Sequence, residues 1–224
     1  MAGCAAGGVF AGPLLDTAAA RVVDRKPSGE GTPAPSVGAA GDRVRAGVAA
    51  VVTGALLAVT ALRLGTAAEL AAYCVLGAGL VAIAVTDLRV GLVPRKLLYP
   101  TLVTVAVALV AASAAEGRWS RLGGAAAGGA AAFAVFTLVW WLYPKGMGFG
   151  DVRLAGLAGL ALGWLGFRPL YLGFLAAFVA GSVLGVANLA VRGTTKFPFA
   201  PALATGTMIG VLWGAYLGNL WFHG

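Results

Sequence analysis

Three of the eight acidic residues stand against long apolar runs: Asp16, Asp87 and Asp151. Asp87 closes one run in "AVTDLRVGLVPRKLLYP", and Asp151 opens another in "KGMGFGDVRLAG". An acid at mid-membrane costs about 2.5–3.5 kcal/mol on insertion scales, so such groups are functional candidates. At the membrane edge the cost is smaller and plainer readings stand beside that one: Asp151 as a helix N-cap, Asp87 as the end of a span. Two carboxylates that meet across one water have a sharper use. They cannot both ionise cheaply, so they hold one proton between them and titrate as a pair. The ionised member draws a proton from the water while the protonated member hydrogen-bonds a scissile carbonyl, the aspartic-protease division of labour. Asp151, at a helix N-terminus, is expected to be the more readily ionised of the two. Gly148 and Gly150 are expected to supply positive φ and room for a substrate backbone.

Other chemistries lack their parts. His223 is the single histidine and stands beside the C-terminus, so no histidine-based metal site can be assembled. Ser113, Ser120 and Ser182 have no base near them in sequence. Cys4 and Cys74 have the spacing of neither a disulfide framework nor a zinc site. No cofactor and no metal are expected. The net charge of +8 suggests nucleic acid at first sight, but no basic patch interleaved with aromatics supports such a partner.

The elements that must position the two acids are membrane helices. The chain is 60% hydrophobic and 11% charged, with a mean hydropathy of +0.90, against about 45–50% and about 25% in soluble domains. A spanning helix needs about 20 apolar residues, and the runs are continuous rather than alternating. The fold expected is all-α and polytopic, one membrane-embedded domain over residues 1–224, with the lipid bilayer as its surroundings. Candidate spans fall at 2–20, 46–62, 67–86, 97–114, 122–143, 152–166, 168–191 and 200–221. That is about eight helices, or seven if one of the two weakest runs, 2–20 and 152–166, does not cross. Residues 24–45 are rich in Pro, Gly and Ser and read as a flexible cytoplasmic loop.

Loop charges set the orientation. With both termini outside, the inside loops collect twelve of the 16 Lys and Arg, and the outside loops keep Arg63, Arg118, Arg121 and Arg168. That is a positive-inside bias, and it puts Asp87 and Asp151 at the same cytoplasmic face. Small residues recur at four-residue spacing in Gly124/Gly128, Gly159/Gly163, Gly181/Gly185 and Gly206 through Gly218, a pattern that lets helices approach closely in lipid. Trp140, Trp141, Tyr143, Trp213 and Trp221 fall near span ends, where aromatic belts anchor helices.

Three motifs in order carry a resemblance. "GMGFGDVRL" at 146–154 resembles the second active-site motif of type IV prepilin peptidases, G-x-G-D before an apolar helix. "DLRVGLVPRKL" at 87–97 resembles the first motif, "KFPFAP" at 196–201 the late Pro-Phe-Gly-Pro stretch, and "GGVFAGPLLDTAAARV" at 7–22 the opening helix. The resemblance implies a membrane aspartic endopeptidase of the inner membrane that removes the leader of prepilins or pseudopilins at the cytoplasmic face. It implies Asp87 and Asp151 as the catalytic pair, Gly148 and Gly150 as the turn before the second acid, and Pro94 as the bend after the first. Lys196, Pro198 and Pro201 would line a third wall.

This chain departs from the family pattern in places. Residues 24–45 contain no cysteine, so the paired CxxC region that full-length members carry cannot form there, and the N-methylation some members perform is not implied. Arg95 stands in place of Asn, Asp16 in place of Asn and Ala200 in place of Gly. Two other functions keep the same acids: a small proton-coupled transporter using them as a relay, and an inactive assembly partner for a pilus or secretion machine.

Overall fold

The computed structural model describes residues 39–63, 67–144, 147–192 and 198–222. These form seven α-helices: α1 (Ala39–Arg63), α2 (Ala67–Val90), α3 (Arg95–Glu116), α4 (Trp119–Leu142), α5 (Phe149–Leu165), α6 (Phe167–Arg192) and α7 (Ala200–Phe222). No strand occurs among the described residues. The protein is an all-α, polytopic membrane protein. Four helices are long and apolar enough to cross a bilayer: α2 from Glu69, α3, α4, and α6 to Val191. Seven of the eight expected runs are helices; the run at 2–20 and Asp16 lie outside the described residues. Helix α1 starts at Ala39, so residues 39–45 are helical rather than loop. Ala39, Ala40, Arg43 and Arg45 are strong helix formers and no proline follows Pro35 there, which favours that earlier start.

Helix ends follow local chemistry. Helix α3 begins after Pro94, whose extended backbone (φ −74°, ψ 124°) makes it the N-cap. It ends at Gly117 in the left-handed region, where the Gly117 amide returns to the Ser113 carbonyl, a glycine C-cap. Helix α2 ends in the same way: Gly91 has φ +66° and donates its N–H to the Asp87 carbonyl at 2.7 Å.

Close packing gathers the helices around α5, the most enclosed of them. Leu154, Leu157, Ala161 and Leu162 have no exposure at all. At about 1.5 Å per residue its 17 residues reach about 26 Å, short of the roughly 30 Å hydrocarbon layer. Protein rather than lipid surrounds it. The four-residue glycine ridges account for the approach. A Cβ at Gly159 would stand 2.5 Å from the Gly128 carbonyl oxygen, and one at Gly163 would stand 2.5 Å from that of Gly124. Two sequence ridges, on α4 and α5, therefore meet each other. Helices α6 and α7 repeat the device, since a Cβ at Gly210 would fall 2.8 Å from the Pro169 carbonyl and 2.9 Å from the Gly173 Cα.

Polar groups mark the two ends of the bundle. At one end, the buried Glu69 at the start of α2 accepts from Arg118 and, at 2.9 Å, from Arg121. Eighteen residues of α2 separate Glu69 from Asp87, about 27 Å along the axis. The aspartates occupy the other end.

Candidate active site

Three segments converge on Asp87 and Asp151: the α2–α3 connection, the start of α5 and the start of α7. Asp87 is buried in the last turn of α2. Its Oδ2 accepts the backbone N–H of Ala200 at 3.1 Å, a contact spanning 113 positions of sequence. Ala200 is the first residue of α7, so the Asp87 carboxylate meets the positive end of that helix, where a negative charge is favoured.

Asp151 lies in the first turn of α5 and is also buried. Its backbone N–H donates to the Gly148 carbonyl at 3.0 Å. Burial first, and the nearby charge of Asp87 second, raise the Asp151 carboxyl to about 7, while a backbone hydrogen bond from Gly148 pulls the other way. Loss of hydration therefore outweighs the N-terminal position of the acid. The helix N-terminus therefore does not make Asp151 the readily ionised acid expected from the sequence; burial holds its carboxyl at about 7. Its Oδ1 is buried with no hydrogen-bond partner among the described residues. An unsatisfied buried oxygen costs about 1–3 kcal/mol.

The glycines serve a different purpose from the one expected. Gly148 has φ −74° and ψ 144° and is the N-cap of α5, and Gly150 is helical. Among described residues only Gly91, Gly117 and Gly166 have positive φ. Gly150 is small because a Cβ there would stand 2.8 Å from the Val93 Cβ. It lets the start of α5 press against the connection that follows Asp87, and so draws the second motif onto the first. A Cβ at Gly148 would make only ordinary contact, 3.5 Å from Asp151 Oδ2.

Pro94 accepts at its carbonyl the N–H groups of Leu97 and Leu98, both at 3.1 Å, and turns the chain from α2 into α3. Pro198 and Pro201 are half-buried and flank the residue whose amide holds Asp87. The third segment thus reaches Asp87 through the Ala200 backbone. Lys196 lies outside the described residues. Sequence reasoning missed Gly91 and the Ala200 amide. A glycine four residues after Asp87 was a signal for the first; no side-chain pattern could announce the second.

Aromatic rings back the site. Phe199 packs with Phe136 (6.3 Å between centroids) and Phe178 (6.4 Å). Trp140 stands edge-on to Phe149 at 5.0 Å, so its ring supports the α5 start instead of acting only as an interface anchor.

The sequence profile of the type IV leader peptidase family matches residues 74–186, half of the chain, and includes both aspartates. The chain belongs to the type IV leader peptidase family. Its curated relatives include a prepilin leader peptidase/N-methyltransferase from Bacillus subtilis (strain 168), 31% identical over 169 residues, covering 74% of this chain and 65% of the relative. Proteins of the same name from Pseudomonas putida (37% over 106 residues; 44% and 36% covered) and Stutzerimonas stutzeri (30% over 169 residues; 72% and 56% covered) are also similar. The chain spans between about a third and two thirds of the length of these family members. No solved structure matches it.

Proposed function

We propose that the protein is a membrane aspartic endopeptidase that removes the leader of prepilins or pseudopilins, with Asp87 and Asp151 sharing the catalytic water. The observation that carries this reading is the convergence of two buried carboxylates, from the end of α2 and the start of α5, where Gly150 presses α5 against Val93 in the connection that follows Asp87. Family membership supplies the substrate class. Four basic residues at this end of the bundle, Arg89, Arg95, Lys96 and Arg153, support a cytoplasmic location under the positive-inside tendency.

The chemistry proceeds in balanced steps. Asp87, ionised and held by the Ala200 amide, takes a proton from the water as the water oxygen bonds to the scissile carbonyl carbon. Asp151 gives its proton to the carbonyl oxygen, and a neutral gem-diol results. The proton on Asp87 then passes to the amide nitrogen as the C–N bond breaks, and one diol hydroxyl returns its proton to Asp151 as the new carboxylic acid forms. A buried site strengthens these charge interactions.

The test is leader removal from a prepilin-like substrate by the full chain in membranes. Asp87→Asn and Asp151→Asn should each reduce cleavage by at least about 10²–10⁴-fold, the usual contribution of positioned acid–base groups. Retained cleavage in either variant would remove the dyad from the mechanism.

A further inference from the structure

Arg153 lies two positions beyond Asp151 on α5, about 200° around the helix, so it leaves the acid pair and faces elsewhere. Its guanidinium carbon sits 4.6 Å from the Phe149 ring centroid and 5.9 Å from that of Tyr99. Phe149 is itself wedged by Trp140 at 5.0 Å and by Phe133 at 6.4 Å. Residues from α3, α4 and α5 thus build an aromatic shelf under one half-exposed cation.

Two more cations adjoin the shelf. Arg95 and Lys96 precede Tyr99 by four and three positions, which places all three on one face of α3. Helical side chains tilt toward the N-terminus, so Tyr99 leans toward them. All three cations reach solvent. No acid lies in the first turn of α3, and the ion pairs among the described residues sit at the Glu69 end. The apolar span of α3 begins at Arg95, so the cations stand at headgroup depth. The last turn of α2 exposes Leu88 (63%), and the connection after it exposes Leu92 (59%). One guanidinium held on aromatic rings, with two exposed cations and exposed apolar side chains at the same end, suits a ligand with a negative head and an acyl tail. Basic pockets between spanning helices bind such headgroups.

We propose that Arg153, Lys96 and Arg95, backed by Tyr99 and Phe149, bind the phosphate of an anionic phospholipid in the leaflet that adjoins the two aspartates. The site stands independently of the catalytic roles given to those acids.

The test uses the purified full chain in neutral detergent, with phosphatidylglycerol or phosphatidylcholine added and bound lipid counted by native mass spectrometry. Phosphatidylglycerol should be retained over phosphatidylcholine by at least about fivefold, the factor that a single basic residue contributes at an anionic surface. Arg153→Gln with Lys96→Gln should abolish the preference. Tyr99→Leu keeps every charge and should weaken the preference by about two- to fivefold through loss of the ring contact; it serves as the deciding variant if the double substitution does not fold. Inorganic phosphate at millimolar concentration should leave the bound lipid in place. Equal retention of both lipids, or an unchanged preference in a folded double variant or in Tyr99→Leu, overturns the site. Displacement by inorganic phosphate overturns it too, by assigning the cations to a soluble anion.

Discussion

At the scale of residues, burial keeps the proton on Asp151 further up the pH scale than on an exposed carboxyl. Asp151 has its carboxyl raised to about 7, with burial the larger cause and Asp87 the second. In the proposed reaction it must begin protonated. Cleavage is therefore expected to fall as pH rises through about 7, roughly tenfold per unit once Asp151 is mostly ionised. A pH profile of kcat on a fixed prepilin substrate measures this, and a flat profile to pH 9 would take the proton away from Asp151. Gly150 gives a second expectation. A methyl group there would meet the Val93 Cβ at 2.8 Å, and no side-chain rotation moves a Cβ, so the backbone itself would have to yield. Gly150→Ala should lower cleavage by about tenfold or more, since displacements near 1 Å at reacting groups are that costly. Val93→Gly in the same chain removes the Cβ that is met and should restore much of the loss. Without rescue, the Gly150–Val93 contact is not what aligns the two motifs.

The scale of elements shows where the sequence was legible. Continuous apolar runs mark spanning helices because lipid offers the backbone no hydrogen bonds, and the runs at 97–114, 168–191 and 200–221 lie inside α3, α6 and α7 with ends within two residues. The glycine ridges were legible as packing surfaces for the same reason of period. Which ridge meets which was not: the approach of Gly128 to Gly159 is a tertiary choice among several similar faces. Nor was the amide of Ala200 visible as a partner of Asp87, because every residue but proline offers the same N–H. Gly150 was noticed as a glycine but assigned a turn, whereas close approach explains it. The ridge pairing predicts a contrast. Gly159→Val should destabilise the protein by about 1–3 kcal/mol through overpacking, because backbone already stands 2.5 Å from any added Cβ. Gly123→Ala, with nothing within 4 Å, should be neutral or slightly stabilising, as Ala exceeds Gly in helix propensity by about 1 kcal/mol. Thermal unfolding in detergent compares them, and equal effects would contradict the α4–α5 seam.

For the whole molecule, the strongest constraint is that the two aspartates lie at one end and the buried ion cluster at the other. Asp87 and Glu69 share α2 with about 27 Å between them, close to the thickness of the hydrocarbon layer. The charges divide along the same line: Arg89, Arg95, Lys96 and Arg153 by the aspartates, Arg118, Arg121 and Arg168 by Glu69. If the aspartate end is cytoplasmic, the α3–α4 turn must face outward. Single cysteines in a background with Cys4 and Cys74 replaced test this directly. Ser120, exposed at the start of α4, should as Ser120→Cys react in intact cells with a membrane-impermeant thiol reagent. Lys96→Cys should react only after the membrane is opened. The reverse pattern would turn the molecule over, separate the aspartates from a cytoplasmic leader, and leave the convergence of α2, α5 and α7 to serve some other chemistry. Reaction of both positions in intact cells would deny that α3 crosses the bilayer at all, against a helix of 22 residues with hydropathy 2.0.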